Sequence, residues 1–381
     1  MATMTAEKTC LKVRGDAKDL AEAVAIAASV APSKSPRPVL QNLLLDAKDG
    51  VLEVTGSDLD VSVRVRIERV EVGQDGRMLV NAARFQQILR ELVGEQVDIE
   101  ADERAGCVIR TADSRFHVMG EEAEEFPELP AWKSDGAISL KAAELVEAIR
   151  RTHFAAHAEK TRYAMNGVLV DLQGSRLRLV ATDGKRLSMV ERPTEKAVKA
   201  PVFVVVPTKG MTLLQRVVGS GEETVEVAVE SSQVVFKTAN ATVLARLIEG
   251  HFPPYEDVLP KAHDKKLQVN RESFLGALRR AALLATKDSQ AVRFAFGREG
   301  LELTARVPEV GESRVAFPLD YPFDTLETAF NPQFFADVLR VLGGAEFNLL
   351  LKDARSAAVV REDDPAGGTF VYLVMPLSLG A

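Results

Sequence analysis

The sequence predicts an α+β protein made of three tandem copies of one domain, each carrying two helices on an antiparallel sheet. Three observations lead there. A helical segment recurs as VNAARFQQILREL around Arg90, VPTKGMTLLQRVV around Arg216 and FNPQFFADVLRVL around Arg340, at steps of 126 and 124 residues. A second helical segment returns at nearly the same interval, with Leu20, Leu145 and Phe274 in matching places. Proline-rich punctuation then closes the first two copies, at Phe126-Pro127-Glu128-Leu129-Pro130 and from Phe252-Pro253-Pro254-Tyr255 to Leu259-Pro260. A unit of roughly 125 residues buries its own core, which excludes solenoid repeats with their periods of roughly 20 to 50 residues.

In the first copy, Leu20, Ala23, Val24 and Ala27 share one face of a helix expected over Asp19 to Val30. Leu43 to Leu45 and Val51 to Val54, either side of Lys48-Asp49-Gly50, read as a hairpin with an Asp-Gly turn. Val61, Val63, Val65 and Ile67 alternate with Ser62, Arg64 and Arg66, the period of a half-buried strand. The segment from Arg84 to Leu92 aligns Phe85, Ile88, Leu89 and Leu92 on a second helix. The second copy offers helices at Ala142 to Ala155 and near Thr208 to Val218, with strands at Gly167 to Asp171 and Arg176 to Ala181. The third offers helices at Arg271 to Ala285 and Asn331 to Leu342, with strands at Val292 to Phe296 and Leu301 to Ala305. Prolines fix φ and withhold a donor, so the sheets should stop at the punctuation and the domains should span 1–133, 134–260 and 261–381.

Composition narrows the class. With 46% apolar and 27% charged residues, the chain is that of an ordinary folded protein. No apolar run reaches the roughly 18 residues of a membrane span, and MATMTAEKTC lacks the apolar core of a signal peptide. Cys10 and Cys107 are too few for a disulfide framework and have no metal-ligand spacing, so a cytoplasmic location is expected, with no membrane partner.

Few residues carry a pattern of reactive chemistry. His153 and His157 stand four apart as on one helical face, but no further ligand joins them, and a solvated surface is the better reading. Gly184-Lys185 lacks the remainder of a phosphate loop, because Leu179 and Arg186 hold the places where glycine and Ser/Thr are needed. Asp58-Leu59-Asp60 reads as turn chemistry ahead of a strand. The acidic runs at Glu121, Glu122, Glu124 and Glu125 and at Glu362, Asp363 and Asp364 are solvated surface. No catalytic residue, metal or cofactor is expected.

The positive charge, by contrast, has a pattern. The net charge is −7, yet the candidate helices carry Arg84 and Arg90, Arg150 and Arg151, Lys209 and Arg216, Arg279 and Arg280, and Arg340. Arg150 and Arg151 occupy the repeat positions of Arg279 and Arg280; the first copy has Ala25 and Ile26 there, with Lys34 and Arg37 just beyond the helix. Recurrence in three copies points to a common surface that binds phosphates without reading bases. With 6% aromatic residues and no aromatic ladder on these helices, duplex DNA fits better than a single strand.

Arg162-Tyr163-Ala164-Met165-Asn166-Gly167, Ala181-Thr182-Asp183-Gly184-Lys185-Arg186-Leu187, Val206-Pro207-Thr208-Lys209-Gly210, His251-Phe252-Pro253-Pro254-Tyr255 and Val374-Met375-Pro376-Leu377 together resemble the bacterial DNA polymerase III β subunits, the sliding clamps. The resemblance runs from about Leu11 to Leu379. It implies the DNA clamp fold and a head-to-tail homodimer closing into a ring around double-stranded DNA without sequence preference. An edge strand with Phe116 and Val118 would then meet a third-domain helix with Leu283 and Leu284, and Arg115 would face Glu309 or Glu312 at the rim. It also implies a pocket for short hydrophobic peptides of the replicative polymerase subunit, the clamp loader, other polymerases and repair proteins. The matching residues are Met165, Thr182, Gly184, Arg186, Leu187, Pro253, Val258, Asn331, Val374, Met375, Pro376 and Leu377.

The expected function is therefore that of a processivity factor without catalysis, working in the bacterial cytoplasm at the nucleoid. The alternative is a non-encircling adaptor that binds peptides and offers its basic helices to acidic partners.

Overall fold

A computed structural model describes residues 11–378 apart from 102–105, 122, 131–135, 160–162, 199, 220–222, 260–261, 285–290, 309 and 364–366. Among the described residues there are six α-helices: α1 (Ala17–Ala28), α2 (Ala82–Glu91), α3 (Ala142–Thr152), α4 (Thr208–Val217), α5 (Arg271–Ala281) and α6 (Pro332–Val341). Successive helices start 60 to 66 residues apart. Each comes directly off a strand and is followed by three more, so the period of about 125 residues contains a half-period of one strand, one helix and three strands. Val70–Gln74 and Gly120–Glu121 are additions to that plan.

The expected helices are all present, with shifted ends. Asp16 caps α1 by accepting a hydrogen bond from Lys18 N at 2.8 Å, which starts the helix two residues before Asp19. Asn81, Asn270 and Asn331 cap α2, α5 and α6 in the same way. The helix expected to run to Ala285 instead ends at Ala281 and passes into a 3₁₀ turn, Ala282–Leu284; Ala285 itself lies outside the described residues. His153 likewise belongs to a 3₁₀ turn, His153–Ala155, so His157 falls beyond the helix and the pair shares no helical face.

The chain divides into two compact bodies. The first comprises residues 1–143 and 212–247, the second 144–211 and 248–381, so the division falls inside α3 and α4. The expected boundaries near 133 and 260 lie outside the described residues. The strands of the middle copy are shared between the bodies because they pair outward.

In the first body, a nine-stranded antiparallel sheet runs in the order Gly120–Glu121, Gly76–Asn81, Asn42–Lys48, Val51–Ser57, Val61–Ile67, Ala241–Arg246, Gln233–Lys237, Thr224–Val229, Ile138–Lys141. The copies join where Val63 faces Val243. Lys48 faces Val51 across Asp49 and Gly50, both with positive φ, which is the Asp-Gly hairpin expected from the sequence. A second sheet has the order Val70–Gln74, Lys12–Asp16, Gln96–Ala101, Cys107–Arg110, Arg115–Val118, leaving Arg115–Val118 at its edge.

The second body repeats the plan. Its eight strands run Val202–Pro207, Gly167–Gln173, Arg176–Thr182, Arg186–Pro193, Thr369–Val374, Ala358–Asp363, Glu346–Leu351, Lys265–Asn270, and the copies join where Ser188 faces Tyr372. A four-stranded sheet, Gly311–Phe317, Gly300–Val307, Val292–Gly297, Leu326–Phe330, leaves Gly311–Phe317 at its edge.

The helices seat by small residues and aromatics. Phe274 of α5 is fully buried and meets Phe317, Phe335 and Phe347 with ring centroids 5.4 to 6.0 Å apart. In the first body, α1 lies so close to Val51–Ser57 that a Cβ at Gly56 would come within 2.2 Å of the Ala27 carbonyl oxygen. That contact is with backbone, so it cannot be relieved by a rotamer change. Gly56→Ala should therefore lower stability by about 2 kcal/mol or more, in line with the cost of overpacking a tight interior. A urea titration reporting on the first body measures this; an unchanged midpoint would mean that α1 is not held at this distance.

Candidate peptide pocket and nucleic-acid interface

The residues expected to form a pocket fall into three groups in the second body. The first lies at the turn between Arg176–Thr182 and Arg186–Pro193. Thr182 Oγ1 donates to the Arg186 carbonyl at 2.6 Å and accepts from Gly184 N at 3.1 Å. Asp183 Oδ1 accepts from Lys185 N at 2.9 Å and Arg186 N at 3.0 Å, and Gly184 sits at φ 84°. Glycine suits that left-handed position without steric cost.

The second group lies at the end of the last strand. Arg186 faces Val374 in the sheet, and the chain beyond is held by Met375 N donating to the Lys185 carbonyl at 2.9 Å and Leu377 N donating to the Ala329 carbonyl at 2.8 Å. Asn331 follows closely and spends its side chain on capping α6, accepting from Gln333 N at 2.9 Å.

The third group lies at the proline punctuation. Phe252 and Tyr255 join Ala164, Leu187 and Leu373 in one buried cluster, which brings Pro253 and Met165, their chain neighbours, alongside. Tyr255 opens a 3₁₀ turn, Tyr255–Val258, and anchors it: its hydroxyl donates to buried Asp171 at 2.7 Å and accepts from Arg178 at 3.1 Å. Burial pushes the Tyr255 phenol up to about 12, so it remains a donor at neutral pH.

Exposure sorts the twelve residues. Gly184, Val258 and Met375 are exposed; Met165, Arg186, Pro253, Pro376 and Leu377 are half-buried; Thr182, Leu187, Asn331 and Val374 are buried beneath them. Arg186 is a strut rather than a free charge. Its side chain is 11% exposed, paired with Asp183 at 3.0 Å and Asp337 at 2.5 Å, bonded to the Phe154 carbonyl, and stacked over the rings of Phe154 and Phe334. Tyr372 lies deeper and donates to the Phe334 carbonyl at 2.8 Å. Asp337, Phe334, Asp171 and Arg178 were not legible as site residues, since nothing in their own spacing distinguishes them; Tyr255 was visible only within its proline motif.

The basic helices separate into two kinds. Arg84 and Arg90 on α2, Lys209 and Arg216 on α4, Arg279 and Arg280 on α5, and Arg340 on α6 are exposed, as is Lys34 in the loop after α1. Arg340 leans on Asp337 at 3.1 Å. Arg151 behaves differently: only 14% exposed, it is locked between Glu147 at 2.6 Å and Glu362 at 2.8 Å. Arg150 is tied to both oxygens of Glu147 at 2.7 Å and to the Val341 carbonyl. Burial pushes the Glu147 carboxyl up, but the bonds from Arg150 and Arg151 outweigh it and hold the group below its ordinary value. These two arginines therefore brace the second body instead of matching the exposed Arg279 and Arg280. Arg37, also beyond α1, is exposed at the start of a 3₁₀ turn, Pro38–Gln41, where it lines a cavity in the first body.

At the expected contact between copies, Phe116 is half-buried on the edge strand and Leu283 is 77% exposed, with Leu284 half-buried. Val118 is buried within its own body, and Glu309 lies outside the described residues. No helix is long and apolar enough to cross a membrane among the described residues, and no group of three potential metal ligands occurs among them.

Known proteins match the chain from residue 11 to residue 378. Family models for the DNA polymerase III beta subunit match in three consecutive pieces: the N-terminal domain over residues 11–130, the central domain over 139–254 and the C-terminal domain over 256–378. The beta sliding clamp of Salmonella typhimurium is 32% identical over 343 residues, covering 90% of this chain and 93% of the relative. That of Pseudomonas putida is 30% identical over 358 residues, covering 93% and 96%. Among solved structures, the Pseudomonas aeruginosa clamp bound to griselimycin superposes with TM-score 0.89 at 29% identity, and the Bacillus subtilis clamp with 0.89 at 28%; each comparison covers 97% of this chain and 100% of the other. Three clamp domains in tandem, in order and over nearly the full length, place this chain in the DNA polymerase III beta subunit family, the bacterial sliding clamps.

Proposed function

We infer that this sliding clamp works as a closed ring of two copies around duplex DNA, holding a polymerase to its template without catalysis of its own. One observation supports the ring above the others. Inside each body, the third strand after one helix pairs with the third strand after the helix three places along: Val61–Ile67 with Ala241–Arg246, and Arg186–Pro193 with Thr369–Val374. Two such strands remain without that partner, Arg115–Val118 and Gly311–Phe317. Pairing one with the other in a second copy continues the rule, satisfies both edges, and makes a head-to-tail contact that must close or polymerise. Exposed Leu283 and half-buried Phe116 supply the apolar part of that contact, and Arg115 with Glu312 the charged rim.

DNA contact falls to Lys34, Arg84, Arg90, Lys209, Arg216, Arg279, Arg280 and Arg340, all of which are exposed to solvent, where phosphates can reach them. Arg150 and Arg151 are withdrawn from that set because their charges are spent on Glu147 and Glu362. Contacts of this kind are non-specific and salt-dependent, which lets a topologically trapped ring slide. The cleft around Gly184, Val258 and Met375 takes short hydrophobic peptides of replication and repair partners, the exposed methionine adapting to different anchors. Tethering raises the effective concentration of a polymerase, so modest peptide affinity suffices.

Three outcomes test this reading. Arg90→Glu, Arg216→Glu and Arg340→Glu combined should weaken association with duplex DNA about tenfold or more at low salt and flatten its salt dependence, leaving the dimer mass intact; unchanged binding by fluorescence anisotropy would refute the helix assignment. A chain ending at Val374 should lose binding to partner peptides yet keep the dimer mass; the full-length chain, once loaded, should be retained on circular but not on linear DNA, and rapid loss from both alike would sink the ring. Arg186→Ala should cost about 3 kcal/mol of stability by stranding Asp183 and Asp337, and should weaken peptide binding with it; Arg186→Lys should restore charge but not the planar stack on Phe334.

A further inference from the structure

The first body contains a second cleft built on the same turn. Ser57, Asp58, Leu59, Asp60 and Val61 correspond step by step to Thr182, Asp183, Gly184, Lys185 and Arg186. Ser57 Oγ accepts from Leu59 N at 3.1 Å, as Thr182 Oγ1 does from Gly184 N. Asp58 Oδ1 accepts from Asp60 N at 3.0 Å and Val61 N at 2.7 Å, as Asp183 does from the next two amides. Arg246 N donates to the Asp60 carbonyl at 2.8 Å, as Met375 N does to that of Lys185. The proline punctuation completes the wall, with Pro127, Leu129 and Pro130 in the part played by Pro253 and Val258. The cavity so enclosed holds about 400 Å³.

Its chemistry differs from that of the first pocket. Leu59 is exposed and adopts φ 76°, where the equivalent position has glycine; a branched aliphatic side chain in the left-handed region carries strain and stands at the mouth. Arg37 and Arg246 are exposed and make no ion pair among the described residues, and Asp60 and Glu128 stand on the same lining. Ser57 and Ser62 form a buried hydroxyl pair at 2.7 Å.

We propose that this cleft is a second peptide-docking site, which takes an extended segment with an aliphatic anchor flanked by one acidic and one basic residue. The anchor packs on Leu59, Leu129 and the prolines, while the flanking charges meet the two arginines and the two carboxylates. The choice of a peptide rests on the reading that the Gly184 cleft takes peptides; the mixed charge is this cleft's own.

The test uses the full-length chain and a fluorescein-labelled peptide, acetyl-Ala-Asp-Leu-Leu-Lys-Ala-amide, at low ionic strength. Saturable binding should weaken at least fivefold in Arg246→Glu and in Leu59→Gly, and should be untouched in Met375→Ala. Both altered side chains are exposed, and glycine removes the strain at position 59, so thermal melts of the variants should match or exceed the parent. Absent binding, or binding insensitive to Arg246→Glu and Leu59→Gly, overturns the proposal. Loss in Met375→Ala alone assigns the peptide to the other pocket, which overturns the proposal while sustaining the function above. A change in oligomeric mass in Arg246→Glu, with no effect on the peptide, gives the cleft to a second copy and overturns it equally.

Discussion

Everything in this molecule depends on strands that cannot leave their edges bare. Backbone N–H and C=O groups at a sheet edge need partners, and each strand–helix–three-strand unit ends in a strand with one free side. The unit cannot meet that need from its own residues. It does so by pairing with the unit three places further along, which fuses neighbouring copies into sheets of nine and eight strands. This is why the two compact bodies cut across the repeats: hydrogen bonds between copies are as dense as those within them.

The same pairing makes clefts as a by-product. Where two copies join, the turn leading into the junction strand and the chain leaving its partner must run side by side, as Lys185 and Met375 do, and as Asp60 and Arg246 do. The proline punctuation passes over that point because it carries the chain from one copy to the next. A repeat under one geometric rule therefore yields a recess at every junction, and side-chain choice decides what each recess admits. Next to Gly184, Met375 is tied to the Lys185 carbonyl above the Arg186 strut; at Leu59, leucines and prolines share the lining with two arginines and two carboxylates.

Repetition was the part of the fold most legible in the sequence, because helical periodicity and proline punctuation are local signals that survive duplication. The half-period was harder to see: α1 buries Ala17, Leu20 and Val24 where α2 buries Ala82, Phe85 and Leu89, but α1 adds Ala21, Ala23 and Ala27 to its buried face and so carries a broader apolar stripe. The residues proposed to line the peptide pocket were named through the resemblance alone. Their supporting shell was not legible, because Asp337 and Asp171 look like any other surface acids until tertiary structure sets them against Arg186 and Tyr255.

The arginines show where charge counting fails. Arg150 and Arg151 match Arg279 and Arg280 in position and kind, yet Glu147 lies one turn earlier on α3 and Glu362 comes from a distant strand. On α5 the corresponding place before Arg279 is taken by Gly276, which offers no carboxylate. A charge that is partly desolvated and doubly bonded has little left for a phosphate, because breaking those bonds would strand half-buried carboxylates. The net charge of −7 is thus no obstacle to holding DNA. What matters is how firmly each base is held: Arg340 leans on Asp337 yet stays exposed, whereas Arg151 is locked between two carboxylates and Arg150 between Glu147 and a backbone carbonyl.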